Sequence, residues 1–202
     1  MVDAVGFTQR LRQQFHAARD EWLTFLQSWL RAPHHIGAIA PSSRFLARAI
    51  AKQVDLSGTD PIVELGAGTG NVTKALLHWG IPAERLIVVE RDKLLCQLLH
   101  RRFPNLKIIE GDAADLRALL APMGVTRLSA VVSSLPLLAM PRNVRRAIVD
   151  EAFALLGEDG HYVQFTYGLG KLLGEEADLH GTREAFVLLN LPPASVWRFR
   201  QH

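Results

Sequence analysis

Apolar residues near the start of the chain recur at spacings of three and four: Phe7, Leu11, Phe15, Ala18, Trp22, Phe25, Leu26, Trp29 and Leu30. This spacing predicts one face of a long helix, with Arg10, Arg12, Gln13, His16, Arg19 and Asp20 on much of the remainder. Pro33, Gly37 and Pro41 then predict a loop, and Ser42 is the expected N-cap of a second helix reaching about Val54. From Pro61 the pattern alternates between short apolar runs and helical spacing. Strands are expected at Pro61–Leu65, Arg85–Glu90, Leu106–Glu110, Leu128–Ser134 and Gly160–Tyr167, and helices at Asn71–Trp79, Asp92–Arg102, Ala114–Leu120 and Pro141–Leu156. Such alternation predicts a doubly wound, Rossmann-like α/β sheet. After a polar linker from Gly170 to Thr182, Arg183–Leu191 and Ala194–Arg200 flank Pro192-Pro193 and predict a closing hairpin.

The first of these strands ends in Glu64-Leu65-Gly66-Ala67-Gly68-Thr69-Gly70, an acid followed by three glycines at alternate positions. Glycines at a strand-to-helix turn allow positive φ and close approach of a ligand, while the N–H groups at the helix start face it. Dinucleotide enzymes use G-x-G-x-x-G, which leaves room for a pyrophosphate. The tighter G-x-G-x-G favours S-adenosylmethionine over NAD, with Glu64 and the loop meeting the ammonium and carboxylate of its methionine part.

Composition narrows the picture further. The 202 residues, 49% of them hydrophobic, suit one domain with a full core plus an appendage. The longest apolar stretch, Leu128–Met140, is interrupted by serines and a proline and falls short of the ~20 residues needed to span a bilayer. With the single Cys96 no internal disulfide is possible, and no signal peptide is visible, so a cytoplasmic location is expected. Net charge is +3, but residues 1–52 carry seven Lys/Arg against three Asp/Glu, and the rest of the chain carries −1. The basic excess belongs to the N-terminal arm, where an amphipathic helix with arginines suits an anionic lipid interface. The membrane-facing residues expected there are Phe7, Arg10, Leu11, Arg12, Phe15, Arg19, Trp22 and Trp29; packing on its own domain or against a second copy would give the same periodicity.

The other candidate residues fall at strand ends. Glu90 closes the second strand and is placed to accept bonds from both ribose hydroxyls, with Arg91 beside it. Asp112, with Ala113, closes the third; it is expected to accept from the exocyclic amine of adenine, or else to cap the next helix. Ser133-Ser134-Leu135-Pro136 ends the fourth strand, where carbonyls and hydroxyls can hold an amine. Tyr167 ends the fifth, where its ring can stack on an ammonium. His34 and His35 lie in the loop, and no H-x-x-x-H spacing points to a metal.

Together these pieces resemble the class I S-adenosylmethionine methyltransferases across residues 40–200. More narrowly, Gly37-Ala38-Ile39-Ala40-Pro41-Ser42-Ser43 after an amphipathic helix, then Glu64–Gly70, Glu90, Gly111-Asp112-Ala113, Ser133–Pro136 and Gln164–Gly168, resemble the bacterial phospholipid N-methyltransferases. The resemblance implies a seven-stranded sheet, a division into an N-terminal helix and lid loop (1–40) and a methyltransferase domain (41–202), and a peripheral location on the inner face of the cytoplasmic membrane. It implies methylation of phosphatidylethanolamine through mono- and dimethyl intermediates toward phosphatidylcholine. S-adenosylmethionine would be the cofactor, leaving as S-adenosylhomocysteine, with no metal and no nucleic acid as partner. Its contacts would come from Ser42, Ser43, Glu64, Gly66, Ala67, Gly68, Thr69, Gly70, Glu90, Arg91, Asp112, Ala113 and Ser133. Tyr167, Ser133 and Ser134 would position the acceptor, and no residue stands out as general base.

Two rival readings share parts of this pattern. An rRNA adenine N6-dimethyltransferase shares the glycine turn and both acids, but must stack a flipped base. Such enzymes resemble one another in an aromatic residue after the proline of the fourth-strand motif, where this chain has Leu137. The near-neutral body also lacks the basic footprint of a nucleic-acid binder. The other rival is a membrane-associated cofactor-binding module without catalysis.

Overall fold

The computed structural model describes residues 43–167 and 179–201. The expected membrane helix, the loop holding His34 and His35, Ser42, and residues 168–178, which include most of the linker, lie outside the described residues. The first described helix, α1 (Arg44–Ala51), is capped by Ser43, whose hydroxyl accepts the Leu46 N–H at 3.2 Å. It stops short of Val54, because Gln53 and Val54 turn back onto the carbonyls of Ile50 and Ala51.

Seven strands form one sheet in the order β3-β2-β1-β4-β5-β7-β6. They are β1 (Ile62–Leu65), β2 (Leu86–Glu90), β3 (Lys107–Glu110), β4 (Leu128–Ser133), β5 (Leu156–Tyr167), β6 (Leu179–Val187) and β7 (Ala194–Gln201). The first five are parallel, and β7 runs antiparallel between β5 and β6. The helices between them are α2 (Asn71–Trp79), α3 (Lys93–Arg102), α4 (Leu116–Leu120) and α5 (Arg142–Leu155). Central strands β1 and β2 are buried along their whole length, which explains why, Glu64 and Glu90 apart, they are apolar. Their side chains alternate between two cores. One gathers Val63, Leu65, Val131 and Tyr162 with α4 and α5, the other Ile62, Val88, Val132 and Val163 with α1 and α2.

Strands β5 and β6 differ from the sequence expectation by more than one residue. Strand β5 begins at Leu156, before the expected Gly160, because Gly157–Gly160 forms a bulged extension in which the register to β4 shifts. Gly157 has the Arg127 side chain against it, and Gly160 has the backbone of Gly157; neither leaves room for a Cβ. Strand β6 begins at Leu179, inside the expected linker, and ends at Val187. Pairing of both Tyr167 and Val187 with Ala194 sets that end, so Leu188–Pro193 forms the turn. The apolar Leu188, Leu189 and Leu191 thus read as strand in sequence but stand exposed at the hairpin tip.

Candidate active site

Since β1 and β4 are neighbours with helices on opposite faces, the strand order reverses between them, and ligands of open α/β sheets bind at the carboxyl ends of such strands. Beyond β1 the chain passes through Gly66 (φ +69°), Gly68 (φ +56°) and Gly70 (φ +83°), the last being the N-cap of α2. A Cβ on Gly66 would stand 2.4 Å from Leu135, and one on Gly70 would stand 2.5 Å from the Phe103 ring. At Gly68 such a carbon would meet nothing within 4 Å. Packing requires the outer two glycines, whereas the middle one borders open space that a ligand can enter. Ala67 is buried, and Thr69 is exposed with its carbonyl accepting from the Arg102 guanidinium.

Glu64 is fully buried at the end of β1. Neither of its carboxylate oxygens has a hydrogen-bond partner among the described residues, nor does the hydroxyl of buried Thr73. Burial raises the Glu64 carboxyl to about 7; Thr73 is close enough to pull against that rise, and the charge of Glu90 adds to it. A buried acid with unspent acceptors suits a cationic ligand group, which is what an ammonium supplies.

Glu90 is better provided for. Its Oε2 accepts the Gly68 N–H at 2.9 Å, and its Oε1 accepts those of Arg91 at 2.8 Å and Asp92 at 3.0 Å. A carboxylate offers about four acceptor sites, so the backbone takes all but one. The expectation that Glu90 meets both ribose hydroxyls therefore requires the Gly68 bond to open. Asp112 performs its alternative role, accepting the Ala114 N–H at 3.0 Å as a cap, and its other oxygen lies 3.6 Å from the exposed Arg91 guanidinium. That second oxygen is the one left for an adenine amine. Ala113 is buried behind it.

At the end of β4 the two serines diverge. The Ser133 hydroxyl faces inward and meets the Leu135 N–H at 3.4 Å. Burial pushes the Tyr162 phenol up, and the Ser133 hydroxyl is near enough to pull against that rise. The Ser133 side chain therefore forms the turn, which leaves its backbone carbonyl as the part of Ser133 that can meet an acceptor. The Ser134 hydroxyl, on the face that carries Glu64, is buried without a partner among the described residues. Tyr167 lies on that same face, its ring edge-on to Phe165 at 5.5 Å. Burial pushes its phenol up, so at neutral pH it is a neutral ring and hydroxyl, not a base. Ser43 stands at the start of α1, its N–H donating to Asn190 Oδ1 at 3.1 Å.

Two positioning roles escaped the sequence reading. Buried Gln164 donates from Nε2 to the carbonyls of Leu135 (3.1 Å) and Phe165 (2.9 Å), fastening the Ser133–Pro136 turn to β5. An amide between Val163 and Phe165 in an apolar strand was the available signal. Asn190 joins α1 to the hairpin, its Nδ2 donating to the Pro192 carbonyl at 2.7 Å; nothing in the local sequence marks it. Among the described residues no three His, Cys, Asp or Glu side chains are grouped to hold a metal.

This chain is 33% identical over 149 residues to an ornithine lipid N-methyltransferase of Singulisphaera acidiphila, covering 72% of this chain and 78% of that protein. The chain belongs to the class I S-adenosylmethionine-dependent methyltransferases. Within that family, the model for ribosomal RNA adenine dimethylase matches residues 42–122. A ribosomal RNA small subunit methyltransferase A of Synechococcus is 37% identical over 94 residues, and this methyltransferase spans only 29% of its length. Two solved structures share the fold. A TehB-like SAM-dependent methyltransferase of Corynebacterium glutamicum superposes with a TM-score of 0.55 at 17% identity, covering 92% of this chain and 99% of that one. A precorrin-6y C5,15-methyltransferase of Geobacter metallireducens gives 0.57 at 14%, covering 78% and 87%. S-adenosylmethionine is the cofactor of this methyltransferase, and the orphaned Glu64 carboxyl, the open space at Gly68 and the strand-end acid Glu90 fit it.

Proposed function

We propose that this methyltransferase adds methyl groups to the amine of a lipid headgroup, phosphatidylethanolamine and its mono- and dimethyl forms, toward phosphatidylcholine at the cytoplasmic membrane surface. The supporting observation is the buried Leu137 at the fourth-strand turn, together with a lipid relative of which this chain covers 78%. The family model for ribosomal RNA adenine dimethylase matches residues 42–122, from α1 through α4, and a ribosomal RNA small subunit methyltransferase A of Geobacter metallireducens is 30% identical over 165 residues, but this chain covers only 56% of that protein against 78% of the lipid relative. The lipid relative extends over 149 residues. In the acceptor half, Leu137 occupies the position where a base-stacking ring would be needed, and it is 1% exposed, turned into the core beside α5. A flipped base would find no aromatic platform there.

The bound cofactor supplies a methyl group activated by a sulfonium. Glu64 would hold the ammonium of its methionine part, the turn at Gly68 its carboxylate, and Glu90 its ribose; the Gly66 N–H is already given to the Val89 carbonyl, so Gly66 would border the ligand without donating to it. The acceptor nitrogen must be neutral to attack in line, and its N–H groups need acceptors on the side away from the lone pair. The Ser134 hydroxyl and the carbonyls of the Ser133–Pro136 turn suit that task, with the turn held rigid by Gln164. Tyr167 offers a neutral aromatic face to the cationic product, worth ~0.5–2 kcal/mol. Fixing two reactants in attack geometry supplies about 7–11 kcal/mol of the barrier reduction. The proton of the incoming ammonium passes to water or lipid phosphate, since no described side chain at the turn is a base at neutral pH.

Transfer of radiolabelled methyl to vesicles of phosphatidylethanolamine, to ornithine lipid and to unmethylated ribosomal RNA tests the reading. Label in mono-, di- and trimethylated phosphatidylethanolamine is expected. Label confined to ornithine lipid would move the substrate to that aminolipid, and label in RNA alone would discard the lipid reading in favour of the adenine dimethyltransferase.

A further inference from the structure

The β6–β7 hairpin tip carries three leucines in the open: Leu188 is 70% exposed, Leu189 68% and Leu191 88%. Phe186 is exposed just before them, and Phe45, at the start of α1, is exposed with the Arg44 guanidinium over its ring at 4.9 Å. The Ser43–Asn190 hydrogen bond brings α1 and the tip together, and the Asn190 side chain also closes the turn onto Pro192. This is a braced projection, not a slack loop. It emerges at the end of the sheet where β5 ends in Tyr167, because Ala194 pairs with both Tyr167 and Val187. The apolar tip therefore stands beside the mouth of the candidate active site.

We infer that this hairpin tip is a membrane-docking element which inserts Leu188, Leu189 and Leu191 into an anionic lipid surface and so presents the site to its substrate; the inference rests on the lipid reading above. Two observations select a bilayer as the occupant. The three leucines follow one another around a reversing turn, where successive side chains diverge in direction, yet all three are exposed to a similar extent. Apolar surface on several sides of a projecting tip needs an occupant that surrounds it, as acyl chains do; a protein groove or a second copy would cover one side. Charge agrees as well. From Ala185 to His202, and from Ser43 to Val54, there is no acidic residue, while Arg44 and Arg48 are exposed. Exposed leucines joined through Asn190 to a helix that bears Arg44 and Arg48, with no acid in either segment, match a surface of anionic headgroups over hydrocarbon.

The test uses the full chain with vesicles of phosphatidylethanolamine and phosphatidylglycerol, read by flotation. Combined Leu188→Ser, Leu189→Ser and Leu191→Ser should lower vesicle partition by at least about tenfold, and lower methyl transfer to vesicles while transfer to detergent-dispersed lipid and cofactor affinity stay unchanged. Leu94→Ser, at an exposed leucine on α3, should change neither. A second variant, Leu191→Trp, keeps the tip apolar; its added fluorescence over wild type should shift to the blue with vesicles and be quenched by brominated lipid. Wild-type partition of the triple variant overturns the inference. So does added fluorescence from Leu191→Trp that is already blue in buffer and unmoved by vesicles, which would mean that the chain's own N-terminal segment covers the tip. A change in association state with no change in partition also overturns it, in favour of a second copy. If no lipid is methylated while partition still depends on the leucines, the substrate reading fails and the docking element stands.

Discussion

The carboxylate of Glu90 accepts the N–H of Gly68 at 2.9 Å, joining residues 22 apart in sequence. The acid at the end of β2 thereby holds the glycine turn that follows β1. With Arg91 and Asp92 donating to its other oxygen, one side chain organises the floor of the cofactor site.

Replacing Glu90 by Gln sets an amide donor against backbone donors. Losing or opposing these bonds at a buried position is expected to cost about 1–3 kcal/mol of stability. Cofactor affinity should fall by about tenfold or more. Thermal unfolding and calorimetric titration with S-adenosylhomocysteine measure the two effects, and unchanged affinity would remove Glu90 from the site.

Glu64 makes binding depend on pH. Its folded-state carboxyl, raised to about 7 from 4.5, favours the protonated native protein. The resulting stability is fully present below about pH 4.5 and is lost as pH rises through 7. An ammonium beside it reverses the preference, so cofactor binding should release a proton near pH 6.5 and tighten toward pH 8. Calorimetry in buffers of different ionisation enthalpy detects the proton, and Glu64→Gln should abolish its release.

The glycines separate packing from ligand space. Gly66→Ala places a methyl 2.4 Å from Leu135 at positive φ, so the fold itself should be weakened, by about 2 kcal/mol or more. Gly68→Ala meets no protein atom within 4 Å and carries only the left-handed backbone penalty, ~1–2 kcal/mol. It should nevertheless weaken S-adenosylmethionine binding by at least about tenfold. If both alanine variants bind normally, the turn does not hold the cofactor.

His161 carries a second pH signature. It is buried with Nε2 at 2.8 Å from the Gln53 carbonyl, and burial lowers its pKa, as do Arg198 and Arg200. A lowered value means that the unfolded chain takes up the proton first as pH falls below about 6.5. Stability should be fully present above that pH and decline below it, and His161→Gln should flatten this part of the stability profile. Denaturant titrations from pH 7.5 to 5 measure the slope.

Much of the site was legible because its signals are local. Glu64 through Gly70 is a strand-to-helix turn in consecutive residues, and Glu90, Asp112 and Tyr167 stand at strand ends that periodicity locates. The inward turn of Ser133 and the clamp of Gln164 on Leu135, 29 residues away, were not legible. They depend on β4 and β5 lying side by side, which no local pattern states. The hairpin tip was hidden for a related reason: Leu188, Leu189 and Leu191 have the composition of strand residues, yet cross-strand register places them in the turn.

By itself, then, the sequence determined the alternation of strands and helices, the glycine turn and the acids around it, since these follow from backbone sterics and the burial period of neighbouring residues. Only the tertiary structure decided that Glu90 is already occupied by Gly68, that Glu64 has no hydrogen-bond partner among the described residues, and that the leucine tip stands beside Tyr167. Those relations join residues far apart in the chain, and strand order and register alone set the distances between them.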